Sequence, residues 1–275
     1  MKNALFLMAL LCAGSSAVAQ APQGEVKDGA VIHTEASAKA VIAGATVALP
    51  ASVTGAAPFA GVFRDLPART IARVPVVVFL HGSSGLSLAA IAEWQQWLAS
   101  QGVASIAPDS FGLPDRLTYK SPVSKDVYEK IHALRAAEIA LAVAALQGTS
   151  WADMRQLVLA GTSEGSPAVA RHSGEGFVAK MIFAWSCEDN YFVVAHQTHT
   201  GKAMPVLNII STTDPFFSAA NPWLGNAAAR GHCAQALKAN PRASIVLIPD
   251  APLTLFNLPA SRQMVTGFLR DVLPR

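Results

Sequence analysis

The sequence has little charge, and the charges that it has form no dense run. Charged residues make up 14% of the chain, and the formal net charge is +3. A nucleic-acid-binding surface is usually a cluster or stripe of lysine and arginine. The sequence therefore predicts no nucleic-acid partner.

The apolar run near the N-terminus is too short for a permanent membrane span. It covers residues 4–13, whereas ~20 apolar residues are needed to cross a bilayer. Lys2 precedes the run and small residues follow it at 17–19, which is the layout of a secretory signal peptide. We therefore expect a signal peptide over residues 1–19 that is cleaved near Ala19, export to the periplasm or the extracellular space, and no membrane anchor.

Cysteine is scarce, with three residues in the whole chain. Cys12 lies in the predicted signal peptide, which leaves Cys187 and Cys233 as an even pair in an oxidising compartment. This pair predicts a disulfide. Two buried free thiols are the alternative.

The chain lacks the common signatures of a metal or nucleotide cofactor. It contains no H-E-x-x-H pattern, no glycine-rich phosphate loop and no dinucleotide fingerprint. His196 and His199 are three residues apart, but no third ligand with the spacing of a zinc site accompanies them. We expect no cofactor and no metal.

Strand and helix patterns alternate along most of the chain. Apolar runs predict strands at residues 41–49, 61–64, 74–80, 103–107, 156–160, 177–185, 205–210 and 243–248. Helical patterns cover residues 88–101, 124–147 and 261–273. This alternation predicts an α/β fold, with a mostly parallel central sheet and helices on both faces. Residues 20–36 are small and polar and predict a loose mature N-terminus, followed by a single domain over residues 37–275.

One motif in this pattern carries chemistry. Residues 161–165 read G-T-S-E-G, between the strand at 156–160 and small residues suited to the start of a helix. A G-x-S-x-G pattern in this setting is a nucleophile elbow, a strained turn whose glycines leave no room for a Cβ and which exposes the serine hydroxyl. Ser163 is therefore the candidate nucleophile. The Glu164 carboxylate has two open roles, a contribution to the site or a solvated position at the helix N-terminus.

Two further turns accompany the elbow. His81-Gly82 follows the strand at 74–80, and Pro108-Asp109 follows the next strand. With these three features in this order, the chain resembles the α/β-hydrolase superfamily, and most closely its dienelactone-hydrolase-like branch. The resemblance implies the α/β-hydrolase fold and a small-molecule acyl substrate.

The same resemblance implies roles for particular residues. Asp214, just beyond the strand at 205–210, matches the acid that orients the catalytic histidine. The backbone N–H groups of Glu164 and Ser83 match the oxyanion hole. The placement of Cys187 and Cys233 is similar to that in exported members of the branch.

The chain departs from the family at the catalytic base. The order of nucleophile, acid and histidine places the histidine a few residues after the strand at 243–248, where this chain has Leu253. No histidine occurs from residue 233 onward, and leucine cannot accept a proton. His196 and His199 are the leading alternative bases, whereas His81 is expected to be structural.

The sequence therefore predicts a serine hydrolase acting on carboxylic esters or related acyl bonds, with its base missing at Leu253. The alternative is a catalytically impaired pseudo-hydrolase that binds a small ligand or partner without turnover. A third possibility is that Leu253 is a substitution in an otherwise active enzyme. Five aromatic residues on loops at the same sheet edge either line an apolar pocket or belong to the core, namely Phe111, Phe216, Phe217, Trp223 and Phe256.

Overall fold

A computed structural model describes residues 23–273 of the protein. The strands are β1 (Glu25–Lys27), β2 (Thr46–Leu49), β3 (Phe59–Val62), β4 (Val74–Leu80), β5 (Ala104–Ala107), β6 (Thr118–Lys120), β7 (Ala152–Thr162), β8 (Phe177–Phe183), β9 (Val206–Ser211) and β10 (Ala243–Ile248). The helices are α1 (Glu35–Ala43), α2 (Ala51–Thr54), α3 (Ala89–Ser100), α4 (Lys125–Gln147), α5 (Ser166–Arg171) and α6 (Pro259–Val272). Short 3₁₀ turns lie at Phe63–Asp65, Ser110–Gly112, Ser163–Gly165 and Leu255–Asn257.

Eight strands form one mixed sheet in the order β10-β9-β8-β7-β4-β5-β2-β3. Every neighbouring pair from β10 to β5 is parallel, and β2 and β3 add two antiparallel pairings at one edge. The predicted α/β class with a mostly parallel sheet is confirmed. Because the parallel strands all point the same way, the loops that follow β4, β7, β9 and β10 emerge at one edge of the sheet.

Strand β4 shows why helices cover both faces of the sheet. Side chains alternate across a strand, and in β4 Val76 and Val78 contribute to one core cluster while Val77 and Phe79 contribute to the other. Helices α4 and α5 pack in the first cluster, and α3 and α6 pack in the second. A run of β-branched residues without polar alternation is therefore the sequence expected for this central position.

The N-terminal part of the fold differs from the sequence prediction. The strand expected at 41–49 is divided, because helix α1 runs to Ala43 and only Thr46–Leu49 is extended. Thr34 begins the helix through a capping box with Ser37, which outweighs the weak strand pattern of an alanine-rich segment. Within the segment predicted to be loose, residues 25–27 form β1, which pairs antiparallel with β6.

The predicted disulfide between Cys187 and Cys233 is present, with the two Cα atoms 4.7 Å apart. It links the segment after β8 to the segment before β10, on either side of the loop that carries Asp214. Both cysteines are buried, so the alternative of two free thiols does not apply. The predicted signal peptide at residues 1–19 lies outside the described residues. Among residues 23–273, no helix is both long enough and apolar enough to span a membrane.

Candidate active site

Ser163 occupies the sharp turn between β7 and α5. Its φ of +49° lies in the left-handed region, which costs a residue with a side chain roughly 1–3 kcal/mol. The residue is half-buried and begins the 3₁₀ turn Ser163–Gly165. The strained serine at the end of a buried parallel strand is the local geometry that the G-x-S-x-G pattern predicts.

The two glycines of the elbow pack too closely for any side chain. A Cβ on Gly165 would lie 2.4 Å from the Leu80 carbonyl oxygen at the end of β4, and one on Gly161 would lie 2.8 Å from Val169 Cγ2. Gly82 is close to the serine itself, since a Cβ there would lie 3.3 Å from Ser163 Cβ. The turn after β4 and the elbow after β7 are therefore in direct contact.

A small cavity lies between these two turns. It has a volume of about 40 Å³. Its lining consists of Gly82, Ser83, Ser84, Gly85, Leu88, Ile91, Thr162, Ser163, Leu253 and Thr254. The structure thus brings together the candidate nucleophile, the loop of the predicted oxyanion hole, and the position where the histidine was expected. None of the lining side chains is a carboxylate, an imidazole or an amine, so the lining provides no general base for the Ser163 hydroxyl.

Asp214 is fully buried just beyond β9. Its Oδ1 accepts hydrogen bonds from the backbone N–H groups of Phe216 and Phe217, each at 2.9 Å. Its Oδ2 is buried and has no hydrogen-bond partner among residues 23–273. Burial raises the pKa of this carboxyl, and the two backbone donors only partly oppose that shift.

The loop that carries Asp214 is tied to the loop that carries Leu253. The Thr213 hydroxyl donates to Asp250 Oδ1 at 3.2 Å, and the Asp250 N–H donates to the Thr212 hydroxyl at 3.3 Å. These bonds join the ends of the adjacent parallel strands β9 and β10. The acid position and the expected base position are therefore carried by neighbouring, hydrogen-bonded loops.

No protein-family model matches the chain, and no curated protein matches it. A solved structure assigned as a dienelactone hydrolase, from Klebsiella pneumoniae subsp. pneumoniae, aligns with a TM-score of 0.51 at 14% identity, over 74% of this chain and 90% of that one. The fold is that of an α/β-hydrolase.

Two other solved structures with this fold come from metagenomic libraries. A dienelactone-hydrolase-like promiscuous phosphotriesterase aligns with a TM-score of 0.50 at 14% identity, over 74% of this chain and 88% of that one. A cold-adapted esterase from an Arctic intertidal library also has a TM-score of 0.50 and 14% identity, over 74% of this chain and 85% of that one. At such identities the likeness concerns the fold alone.

In this fold His81 begins the turn after β4 and is wholly buried. Its Nδ1 donates to the Gly82 carbonyl at 2.7 Å, and its Nε2 accepts from the Ser110 N–H at 3.1 Å. Burial, and then the charge of Arg135, hold its pKa well below the ordinary value. The ring is therefore neutral and both nitrogens are engaged, which fits the predicted structural role.

His196 and His199, the other candidate bases, have partners away from the cavity. His196 Nδ1 lies 3.0 Å from Asp189 Oδ1, and His199 Nδ1 donates to the Arg171 carbonyl at the last residue of α5. The His199 carbonyl accepts from Lys180 Nζ at 2.8 Å. Lys180 lies three residues, or about 10 Å, before the carboxyl end of β8. Neither histidine lines the cavity at Ser163.

The five candidate aromatic residues do not line this cavity either. Phe256 packs against Phe79 and Trp94 in the core, and Phe217 packs against Trp185. For these two, the core alternative is correct. Phe111 is 41% exposed and stacks on the His81 ring.

Sequence reasoning missed a buried cluster of charges under the elbow. Glu164 is fully buried, so of its two open roles the solvated one is wrong. Its Oε1 accepts from Arg116 Nη2 at 2.6 Å and lies 3.9 Å from Arg135 Nε. Arg135 Nη1 in turn lies 2.7 Å from Glu138 Oε2. The only signal in the sequence is the spacing of Arg135 and Glu138 on one helix, since the other partners are far apart along the chain.

The raised pKa of Asp214 predicts a stability difference that depends on pH. The native state binds the Asp214 proton more tightly than the unfolded state, so ionisation of this group weakens folding as pH rises above its unfolded pKa. We expect the stability of Asp214→Asn relative to the native chain to increase from about pH 3 to about pH 7. Urea unfolding at a series of pH values measures the difference. Asp250→Asn, which removes an exposed carboxylate from the neighbouring loop, is the control. A difference that does not change with pH would contradict the prediction.

Proposed function

We propose that this protein is a serine hydrolase that acts on carboxylic esters or related acyl bonds. The observation that carries the proposal is the position of Ser163, strained at the carboxyl end of β7 and bordering a cavity with the loop of Gly82 and Ser83. A strained conformation is retained where the surrounding structure enforces it, and such positions cluster at functional sites. The α/β-hydrolase fold agrees with this chemistry.

In the proposed reaction, Ser163 Oγ attacks the substrate carbonyl carbon and loses its proton. The carbonyl oxygen becomes an oxyanion, which the backbone N–H groups of Glu164 and Ser83 stabilise. Collapse of the tetrahedral intermediate expels the leaving group, which takes up a proton, and leaves an acyl group on Ser163. Water then attacks the acyl carbon and releases the acid and the free serine.

The proposed reaction lacks a side chain that could transfer its protons. Asp214 is the proposed acid that would orient an imidazole, but Leu253 occupies the position expected for that imidazole. Water must then accept the Ser163 proton, because the side chains of the cavity cannot. We therefore propose that turnover is slow. Enzymes that lose a triad member keep about 10³–10⁴-fold acceleration over water from binding and the oxyanion hole.

A second candidate function is favoured by the same leucine. Leu253 lines the cavity together with Leu88 and Ile91, so part of the cavity wall is apolar. A pseudo-hydrolase that binds a small ligand or partner without turnover would need such a surface and no base.

Fluorophosphonate labelling followed by peptide mapping tests the proposal. We expect an adduct on Ser163 that forms slowly in the native chain and much faster in Leu253→His. Ser163→Ala should carry no adduct, whereas Ser83→Ala and Ser84→Ala control for the other hydroxyls of the cavity. An adduct on Ser84, or none on Ser163 in the Leu253→His protein, would reject the proposal. Tight binding of an acyl ligand without any adduct in either version would favour the second candidate.

A further inference from the structure

A buried chain of hydrogen bonds connects the elbow to the turn after β4. Arg116 Nη2 donates to Glu164 Oε1 at 2.6 Å, and Arg116 Nε donates to the Ser110 hydroxyl at 2.9 Å. The Ser110 N–H donates to His81 Nε2 at 3.1 Å. His81 Nδ1 then donates to the Gly82 carbonyl at 2.7 Å. Each step is a direct hydrogen bond, and together the steps run from one loop to the other.

The two ends of this path carry the two proposed oxyanion donors. Glu164, at one end, supplies one backbone N–H. At the other end, the Gly82 carbonyl also accepts from the Gly85 N–H at 3.1 Å, which closes a tight turn around Ser83. Ser83 supplies the second N–H. The distance between the two donors therefore depends on the groups that lie between Glu164 and Gly82.

Arg116 is held in place by several contacts at once. Its Nη1 donates to the Leu117 carbonyl at 3.2 Å, and its guanidinium lies 4.5 Å over the ring of Phe111. The side chain is buried, as is the Glu164 carboxylate that it neutralises. A planar guanidinium with several fixed donors holds two acceptors in one geometry, which a lysine ammonium cannot do. Hydrogen bonds between buried charges are also stronger and more directional than those in water.

Arg135 reinforces the same connection from helix α4. Its Nη2 donates to the His81 carbonyl at 3.0 Å, and its Nε lies 3.9 Å from Glu164 Oε1. Its own charge is balanced chiefly by Glu138 at 2.7 Å. The elbow and the oxyanion turn are thus held by two guanidinium groups, of which Arg116 makes the shorter contact with Glu164.

We propose that Arg116 is a positioning residue that sets the geometry of the oxyanion hole. It touches neither the cavity nor the substrate, and it acts by fixing the elbow against the turn that contains Ser83. This inference rests on the proposed function, because it concerns the donors of that reaction. A preorganised oxyanion hole acts on the transition state rather than on the bound substrate. Loss of the positioning should therefore lower kcat and leave KM nearly unchanged.

Turnover of p-nitrophenyl acetate in the Leu253→His protein measures this effect. Arg116→Lys keeps the positive charge but loses the planar guanidinium and its fixed N–H donors. We expect this variant to lower kcat by about 10²-fold and to change KM by less than about 3-fold. Ser110→Ala, which removes one acceptor and no charge, should lower kcat by a smaller factor. Arg171→Lys is the matched control, since Arg171 pairs with Glu129 at the other end of α5. Equal losses in Arg116→Lys and Arg171→Lys, or a loss confined to KM, would overturn the inference.

Hydrogen exchange in the native chain supplies a readout that does not need turnover. We expect Arg116→Lys to speed exchange in the peptides that cover residues 81–86 and 161–166 together, and Arg171→Lys to speed neither. Faster exchange in only one of the two segments, or in neither, would overturn the inference. A third outcome separates this inference from the proposed function. If exchange is faster in both segments but turnover in the Leu253→His protein does not depend on Ser163, the connection between the two loops is supported and the proposed function is rejected.

Discussion

Replacing Leu253 with histidine should raise the turnover of p-nitrophenyl acetate by at least about 10³-fold. In serine hydrolases with a triad, loss of the histidine alone costs around 10⁶-fold in kcat, because the serine then has no base. The loop that carries Asp214 is hydrogen-bonded to the loop that carries Leu253. Leu253 lines the same cavity as Ser163, and Asp214 Oδ2 is buried without a hydrogen-bond partner in the described part of the chain. This oxygen could accept a hydrogen bond from the Nδ1–H of a histidine at position 253.

The effects of Leu253→His and Ser163→Ala on turnover should be non-additive. Groups that act as a unit lose most of their effect when any one of them is missing. Ser163→Ala should therefore cost little in the native chain, where the proposed triad has no histidine. In the Leu253→His protein the same substitution should remove nearly all of the gain. The four proteins form a double-mutant cycle, and kcat/KM for each is the quantity to compare.

Matched variants at position 253 separate proton transfer from a change of cavity shape. Leu253→Phe introduces a ring without a nitrogen, and Leu253→Asn introduces polarity without a base of suitable pKa. Neither should raise turnover appreciably. In the Leu253→His protein kcat/KM should rise with pH between about pH 5 and pH 8, because only the neutral imidazole accepts a proton. A gain that does not vary with pH would contradict a role for the imidazole as base.

Two outcomes would contradict the proposed triad geometry. The first is no gain at all in a folded Leu253→His protein. The second is high activity in the native chain that His196→Ala or His199→Ala abolishes, which would mean that the base had been relocated. The positions of both histidines argue against the second outcome, since their partners are Asp189 and the far end of α5.

The parts of the fold that the sequence predicted well are those with strong local patterns. Strands β4 and β10 have the predicted bounds, since each is a continuous apolar run bounded by a loop. The elbow was recognisable because its backbone requires particular residues at fixed spacing. In contrast, residues 41–43 were predicted as strand but form the end of α1, because an alanine-rich segment has no clear periodicity.

The interactions that the sequence did not reveal are long-range ones. The charge on Glu164 is neutralised by Arg116, which is 48 residues away in the chain and comes from a loop. No local pattern links the two, so the sequence leaves open whether the Glu164 carboxylate contributes to the site or is solvated at the helix N-terminus. The pairing of β1 with β6 was missed for the same reason. Only the folded chain shows that the residue after the candidate nucleophile is anchored by buried cations.

Substituting Gly165 with alanine should both destabilise the protein and disable the elbow. The backbone of Gly165 has φ −75° and ψ −23°, which alanine adopts without strain. The cost therefore comes from contact alone, since the new Cβ would lie 2.4 Å from the Leu80 carbonyl oxygen and 2.7 Å from Leu80 Cβ. Forcing a carbon into a packed site costs about 3 kcal/mol when the neighbour is backbone that cannot rotate away. Urea unfolding of the native chain and of Gly165→Ala measures this loss.

The same clash should displace Ser163 relative to the oxyanion turn. Relief requires β7 and its elbow to move away from β4, and a displacement of about 1 Å can lower a rate by about 10²-fold. In the Leu253→His protein, Gly165→Ala should therefore reduce kcat by about that factor. Gly267→Ala is the matched control, because Gly267 is exposed in α6 and its Cβ would meet nothing within 4 Å. That substitution should stabilise the protein by roughly 0.5–1 kcal/mol through helix propensity and leave kcat unchanged. If Gly165→Ala proved as stable and as active as its parent, the close packing of the elbow against β4 would be refuted, and with it the reason that this turn needs glycine.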